Sequence, residues 1–187
     1  MSGRSAAEIV ADSQLIRHGH FVLSSGMHTP YYVAWERVLQ HPVLTSTVCQ
    51  ALADRFRGTP VDVVISSGVL GAILGHETAR ALGAQAVFVE GMHGRRVLRP
   101  GFRVESGARA LLVEEVIVTG ESARELMRLV SGHGSRTVGV AALVDRSSTA
   151  LNLGVPVETL AVLDLEAYPP PMCPQCREGV PLERPGQ

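Results

Sequence analysis

The sequence predicts an α/β fold with a central, mostly parallel sheet that is flanked by helices. From residue 61 onward, short apolar segments alternate with helical segments, which is the pattern of parallel strands joined by crossover helices. The apolar segments are runs of Val, Ala and Leu without polar alternation, as expected for strands covered on both faces. A length of 187 residues suits one such domain.

Before the alternation begins, the N-terminal segment predicts a helix, two strands and a second helix. Residues 5–17 have a candidate N-cap in Ser5 and apolar residues near one face, and Gly19 is expected to end this helix. Residues 20–35 place a Ser-Ser-Gly turn between apolar runs, which predicts two short strands. A helix over residues 42–57 begins with proline, which suits a first helical position.

The alternating part of the chain predicts five strands and two helices. The predicted strands cover residues 61–66, 84–90, 108–115, 136–146 and 155–165, and the predicted helices cover 70–83 and 121–134. Residues 90–107 interrupt this order, because they are basic and glycine-rich and have no helical period. Connections of that length in compact domains are usually functional or mobile.

Charge and composition exclude several classes of function. The net charge of −1 argues against a general surface for nucleic acid or membrane. No apolar run approaches the ~20 residues of a membrane span, and the N-terminus has no apolar stretch typical of a secretory signal. We therefore expect a cytoplasmic protein. All 17 basic residues are arginine, which excludes Schiff-base chemistry and a Walker-type lysine.

The three cysteines leave the question of metal binding open. An odd number with one close pair is not a disulfide framework. Cys173 and Cys176 have half the spacing of a zinc site, and a second Cys or His pair is missing nearby in the sequence. We therefore favour a cysteine pair without a chemical role, or one that contributes to a dimer contact, over a metal site. No role is assigned to the histidines His18, His28, His41, His76 and His133.

A candidate ligand site lies where the strand after the basic segment meets the next helix. Glu114 and Glu115 follow a predicted strand over 109–113 and precede a Thr-Gly-Glu-Ser turn at residues 119–122. Backbone N–H groups at the start of a helix can hold a phosphate, whereas carboxylates accept hydrogen bonds from hydroxyls or lie near magnesium. A ribose 5-phosphate would satisfy both halves. The alternative is an ordinary strand-to-helix turn with exposed acids.

This segment resembles the phosphoribosyl-diphosphate (PRPP) signature of the type I phosphoribosyltransferases. Within that family, the chain is similar to the orotate phosphoribosyltransferases along nearly its whole length. The segments that carry the resemblance are residues 19–32, 64–83, 87–102, 143–146 and 173–182. The resemblance implies the type I phosphoribosyltransferase fold in a single domain, 1–187. Its parts would be a small N-terminal hood (1–40), a core (41–166) and an irregular tail (167–187).

The resemblance also implies an activity. Ribose 5-phosphate would pass from PRPP to orotate, giving orotidine 5′-phosphate and diphosphate in de novo pyrimidine (UMP) biosynthesis. Mg²⁺ would be carried by PRPP, so no residue is assigned as a direct metal ligand. A homodimer with shared active sites is expected, with neither nucleic acid nor a membrane as a partner.

Roles are carried over by the resemblance residue by residue. The PRPP-binding residues would be Glu114, Glu115, Val116, Ile117, Val118, Thr119, Gly120, Glu121 and Ser122, and the diphosphate turn would be Ser67, Gly68, Val69, Leu70 and Gly71. A flexible catalytic loop acting on the partner subunit would supply His93, Arg95, Arg96 and Arg99; the alternative is a solvated basic loop. Orotate would contact Val118, Arg146, Tyr31 and Tyr32. The alternatives are an exposed salt bridge for the arginine and a half-core position for the tyrosine pair.

Four positions depart from the family pattern. Glu115 stands where Asp is usual, Val118 where Thr is usual, and Gly91 and Ser24 where a basic residue is common. A carboxylate that is displaced by ~1 Å can cost ~100-fold in rate. A catalytically weakened PRPP- or nucleotide-binding paralogue with a regulatory role is therefore the main alternative. A phosphoribosyltransferase for another base and a nucleic-acid-binding regulator are the others.

Overall fold

A six-stranded sheet and a separate two-stranded hairpin organise the protein. The computed structural model describes residues 4–23, 25–92, 95–147 and 150–185. The strands are β1 (Ile16–Val22), β2 (His28–Val33), β3 (Val63–Ser67), β4 (Gln85–Met92), β5 (Arg95–Leu98), β6 (Arg109–Ile117), β7 (Arg136–Asp145) and β8 (Val157–Val162). The helices are α1 (Ala6–Val10), α2 (Glu36–Leu39), α3 (Pro42–Arg55), α4 (Gly68–Leu82), α5 (Glu121–Gly132) and α6 (Pro174–Arg177).

The large sheet has the strand order β5-β4-β3-β6-β7-β8. Strands β3, β4, β6, β7 and β8 are parallel, and β5 is antiparallel to β4. The predicted α/β fold with a mostly parallel sheet is confirmed. Because β3 and β6 are parallel neighbours, their carboxyl ends open at the same edge of the sheet, which is where such folds bind ligands.

Helices cover both faces of this sheet. Leu111 and Val113 on β6 belong to a buried cluster that includes residues of α1, α3 and α4. The intervening Leu112 belongs to a second cluster with Leu126 of α5. Both faces of the strand are thus apolar, as its unbroken run of aliphatic residues predicts. Within the described residues, no helix has the length and apolarity to cross a membrane.

The N-terminal helix is shorter than the sequence predicts. Ser5 does cap it, and a reciprocal bond to Glu8 forms a capping box. Helix α1 nevertheless ends at Val10, and β1 begins six residues later because it pairs with β2. Gly19 lies inside β1 and does not end a helix. A Cβ there would lie only 2.6 Å from Cζ of Phe21, so the glycine leaves room for that buried ring.

The basic segment and the acidic pair also differ from expectation. Strand β4 continues to Met92 and turns back as β5, so the first part of the segment at 90–107 extends the sheet and is not a free connection. Strand β6 likewise continues to Ile117, two residues beyond the predicted strand at 108–115 and four beyond the narrower range 109–113 used for the ligand motif. Both acids therefore lie within the strand, as the longer range predicts, and not in the loop after it.

The tail packs on the hairpin formed by β1 and β2, which is the part of the predicted hood (1–40) that the word hood denotes from here on. His28 and Tyr168 exchange two backbone hydrogen bonds of 2.8 and 2.7 Å, and the backbone of Glu183 bonds to His20 and Val22. The irregular tail contains one short helix, α6, and Cys173 before it is fully buried. A second pair of ligands is missing near the cysteines in the sequence but is present in the folded structure. His20 and His28 lie beside Cys173 and Cys176.

Candidate active site

Glu114 and the glycine turn open into one cleft at the carboxyl end of β6, whereas Glu115 lies on a separate surface with Tyr32 and Leu70. The cleft has a volume of about 230 Å³. Its lining residues are Ser25, Arg96, Glu114, Val116, Val118, Thr119, Gly120, Glu121, Ser122 and Glu125. Glu114 accepts a hydrogen bond from the Ser122 hydroxyl in the first turn of α5. The carboxylate half and the helix-start half of the sequence motif are therefore in direct contact.

Gly120 shapes the turn that leads into α5. It is the N-cap residue and has a φ of 71°, a left-handed conformation that glycine adopts without steric cost. Thr119 fixes the turn on both sides: its hydroxyl accepts from the Glu121 N–H at 3.3 Å, and its carbonyl accepts from Arg124 at 2.8 Å. The Glu121 residue is exposed. The turn thus presents backbone N–H groups at a helix start, as an anion site requires.

Burial dominates the electrostatics of the acidic pair. Desolvation raises the pKa of Glu114, and the Ser122 hydrogen bond and Arg96 only partly oppose this effect. Desolvation also raises the pKa of Glu115, whose carboxylate accepts from the backbone N–H of Gly71. Buried carboxylates of this kind gain from hydroxyl donors or a cation, because either restores the hydration that they have lost. Their oxygens therefore fit both ribose hydroxyls and a magnesium ion.

The proposed diphosphate turn forms the beginning of α4. Ser67 is the N-cap residue, and residues 68–71 make the first helical turn, with Gly68 at a φ of 75°. Val69 is 80% exposed, so this turn is open to solvent at the ligand edge. A Cβ on Gly71 would lie 3.4 Å from the Glu115 carboxylate. The glycine therefore lets the acid reach the start of the helix.

Two loop arginines have different positions. Arg96 lines the cleft of its own chain, where Nε lies 3.0 Å from Oε2 of Glu125 and Nη1 donates to the Ser67 hydroxyl. Arg99 instead forms an exposed 3.0 Å ion pair with Glu90, as a solvated basic loop would. His93 and the side chain of Arg95 lie outside the described part of the chain.

Arg146 connects the end of β7 to the hood. It is only 8% exposed, so the alternative of an exposed salt bridge is wrong. Nη2 donates to the Thr29 hydroxyl at 3.1 Å, and Nη1 donates to the Tyr31 carbonyl at 3.4 Å. Nε is buried without a hydrogen-bond partner among the described residues. Desolvation lowers the pKa of this guanidinium, which would favour an anionic ligand beside it.

Tyr31 and Tyr32 point to opposite faces of β2, because successive strand residues alternate. The Tyr31 ring packs edge-on against His18, with ring centroids 5.3 Å apart. Tyr32 donates to Glu36 at 3.2 Å, and burial raises its pKa to about 12. It shares a shallow surface with Val69, Leu70 and Glu115. One planar base can therefore lie against only one of the two rings.

Two lining residues carried no assigned role in the sequence, namely Ser25 and Glu125, which pairs with Arg96. A third residue without an assigned role, Arg124, lies outside the lining and donates a hydrogen bond to the Thr119 carbonyl. Glu125 follows Glu121 by one helical turn, and that spacing was the available signal for a residue on the cleft face. The side chain of Ser25 reaches the cleft through tertiary packing, for which the sequence holds no local signal. Ser24 lies outside the described residues.

Known proteins with similar sequences agree with the ligand site that this geometry indicates. No family model matches the chain. It is 40% identical over 179 residues to the orotate phosphoribosyltransferase of Caldicellulosiruptor bescii, covering 96% of this chain and 94% of that protein. It is 42% identical over 177 residues to that of Thermus thermophilus, covering 94% and 97%.

Solved structures share the fold. The orotate phosphoribosyltransferase of Aeropyrum pernix superposes with a TM-score of 0.67 at 23% identity, over 84% of this chain and 93% of that one. The Mycobacterium tuberculosis enzyme in complex with inorganic phosphate gives 0.67 at 24% identity, over 84% and 94%.

Proposed function

The chain belongs to the orotate phosphoribosyltransferases, which transfer ribose 5-phosphate from PRPP to orotate, and on that premise we propose how its residues share the work. The observation that carries the assignment of roles is the contact between Glu114 and Ser122 in one cleft. A regulatory paralogue without activity gains no support, since the relatives described above are named for the enzyme.

The turn before α5 binds the 5-phosphate of PRPP, and the acidic pair binds its ribose. Backbone N–H groups at residues 119–122 supply donors, and the helix dipole favours the negative charge. Glu114, which lines the cleft, accepts a hydrogen bond from one ribose hydroxyl, and we assign the other hydroxyl to Glu115 at the adjoining edge beside the start of α4. These bonds replace solvation that the buried carboxylates lack, which is the reason why their raised pKa supports this role.

Arg96 stabilises the leaving diphosphate. Its guanidinium lies between Ser67, the N-cap residue of α4, and Glu125 of α5. Diphosphate displaces Glu125 as the partner of Arg96, because a phosphate accepts bidentate bonds from arginine and carries more charge. Magnesium carried by PRPP would further neutralise the charge of the diphosphate.

Orotate lies at the end of β7, with its carboxylate toward Arg146. The C1′–O bond to diphosphate breaks with its electron pair passing to the leaving group, and N1 of orotate forms the new bond to C1′ and releases its proton to solvent water. The chain contributes mainly by positioning and by stabilising charge in a buried site. We propose that the enzyme works as a cytoplasmic homodimer whose partner loop completes the site.

Orotate consumption tests the proposal directly. The purified chain is mixed with PRPP and Mg²⁺ and followed by absorbance, with uracil, hypoxanthine and a magnesium-free mixture in parallel. We expect magnesium-dependent loss of orotate alone, and Glu114→Gln should reduce the rate strongly while Glu105→Gln, an exposed acid outside the cleft, should not. Turnover of another base, or equal rates for the two variants, would contradict the assigned roles.

A further inference from the structure

Four side chains from distant parts of the chain meet where the tail crosses the hood. They are His20 on β1, His28 on β2, and Cys173 and Cys176 on the tail, and one ligand atom from each lies within 4.8 Å of all the others. We propose that these residues form a structural zinc site that fastens the tail to the hood. None of them lines the catalytic cleft.

The distances between the ligand atoms fit a tetrahedral zinc ion. Nε2 of His20 lies 3.1 Å from Nδ1 of His28 and 3.4 and 3.6 Å from the sulfurs of Cys173 and Cys176. Nδ1 of His28 lies 3.2 Å from the Cys176 sulfur. With ordinary Zn–N and Zn–S bonds, a tetrahedron places two nitrogens about 3.3 Å apart and nitrogen and sulfur about 3.6 Å apart. The four atoms thus already surround a volume of the size of the ion.

The ligand atom of His20 is selected by a hydrogen bond on the other side of its ring. Nδ1 lies 2.7 Å from the Val180 carbonyl, so Nδ1 carries the proton and Nε2 presents its lone pair to the cluster. Histidine ligands of metals are typically oriented by such a bond. The acceptor belongs to the tail, so the tail supplies both two ligands and the group that orients a third.

Burial indicates a structural site and not a catalytic one. His20, His28 and Cys173 are buried, and Cys176 is exposed. Structural zinc sites have four protein ligands, whereas catalytic sites keep one position for water or substrate. Two thiolates and two neutral imidazoles balance the charge of Zn²⁺. The mixed set of two sulfurs and two nitrogens in tetrahedral order favours zinc over magnesium or calcium.

The hood and the tail each lack the means to be stable alone. The hood is a two-stranded sheet that is not hydrogen-bonded into the large sheet, and isolated hairpins are marginally stable in water. The regular structure of the tail is one helix of four residues and a short 3-10 turn. Metal binding that orders both segments contributes its free energy to folding, as in other small metal-bound elements.

A disulfide between Cys173 and Cys176 is the competing explanation for the cysteine pair. It would use two of the four groups and would leave His20 and His28 with their ring nitrogens facing each other at 3.1 Å. Zinc uses all four groups. The two explanations differ in metal content, in thiol titration and in their dependence on the histidines.

The first experiment measures metal in the full chain after purification without chelators under reducing conditions. We expect about one zinc per chain by elemental analysis, released by a mercurial that blocks thiolates. Replacement with Co²⁺ should give the visible bands of a tetrahedral thiolate site. A folded chain that stays metal-free after incubation with excess Zn²⁺ and Co²⁺ would overturn the proposal, as would a Cys173–Cys176 disulfide that persists through this purification.

Matched variants separate ligands from ordinary cysteines and histidines. Cys176→Ser and His28→Asn should lose the zinc and its stabilising effect. Cys49→Ala, which changes a buried cysteine of α3, and His18→Asn, on the exposed side of the hood, should retain about one zinc per chain. A chelator should lower the melting temperature of the wild type and of both controls, but not that of Cys176→Ser. Equal zinc in all four variants would contradict the assignment of ligands.

Discussion

The catalytic cleft and the junction of hood and tail are built in opposite ways. In the cleft, Glu114 and Ser122 are eight residues apart in the chain, and one strand-to-helix turn joins them. At the junction, His20 and Cys173 are 153 residues apart. The cleft therefore exists as a pattern in the linear sequence, whereas the junction exists only after the chain has folded.

This difference governs what each region depends on. The geometry of the cleft follows from a local turn with a left-handed glycine, so it should respond to single substitutions with a loss of activity. The junction depends on long-range closure of the chain, so it should respond with a loss of stability. The following predictions test that separation, beginning with the largest effect.

Arg96→Ala should show that catalysis in the cleft also needs a positive charge from β5, outside the motif at residues 114–122. The guanidinium lies between Ser67 and Glu125, and its loss should lower kcat by about 10²–10³-fold because a preorganised charge for the leaving group is removed. Arg99→Ala removes an exposed ion pair with Glu90 and should have a much smaller effect. Steady-state kinetics with varied PRPP measures both. Similar losses in the two variants would place the catalytic charge elsewhere on the loop.

Gly120→Ala should isolate the role of the turn before α5. A Cβ at this position would lie 3.3 Å from Leu151 and Leu153, and displacement of the phosphate donors should lower kcat/KM for PRPP about 100-fold. Gly83→Ala at the end of α4 is the control, with a φ of 68° and no atom within 4 Å of its Cβ. Both variants should lose about 1–2 kcal/mol of stability. A comparable loss of activity in the control would indicate general destabilisation.

Thr29→Val should reveal whether the hood influences the cleft. The hydroxyl donates to the Glu166 carbonyl at 2.6 Å and accepts from Nη2 of Arg146. Its removal therefore leaves Nη2 of this buried guanidinium without that acceptor. We expect the KM for orotate to rise about tenfold, because the guanidinium loses one of the two bonds that hold it in position. The zinc content should not change. Thr47→Val, at an exposed hydroxyl of α3, serves as the control, and an unchanged KM in Thr29→Val would separate the hood from orotate binding.

The pH dependence of stability should give the smallest effect. The raised pKa of Glu115 means that the folded protein binds its proton more tightly than the unfolded chain. This contribution to stability is present below the ordinary carboxyl value of 4.5 and is lost as pH rises through the raised value. Urea unfolding without ligands should therefore show Glu115→Gln gaining stability relative to wild type as pH increases. Glu105→Gln should give a constant difference, and a constant difference for Glu115→Gln would contradict the burial effect.

Much of the sheet and the cleft could be predicted because their signals are local. Aliphatic runs define β3, β6 and β7, and the acidic pair with its glycine turn marks one ligand edge. The predicted helix at 5–17 was too long because the pairing of Ile16 with Val33 overrides the helical period. Such pairing partners are invisible within a short window of sequence.

The zinc ligands were missed for a related reason. A search for a second pair near Cys173 and Cys176 in the sequence finds nothing, since the histidines are contributed by the opposite end of the chain. His20 and His28 lie on adjacent strands of the hood, but no local period distinguishes them from His18. Long-range bonds between the tail and the hood, from both backbone and side-chain atoms, bring the two halves together.

The crossing of the tail over the hood also sets the order in which a growing chain can mature. During translation, His28 leaves the ribosome well before Cys176, which follows 148 residues later. Domains begin to fold from the N-terminal side as they are made, and the strands β3 to β8 all precede the tail. The central sheet can therefore assemble first, and the hood stays without its two cysteine neighbours until the tail has been synthesised.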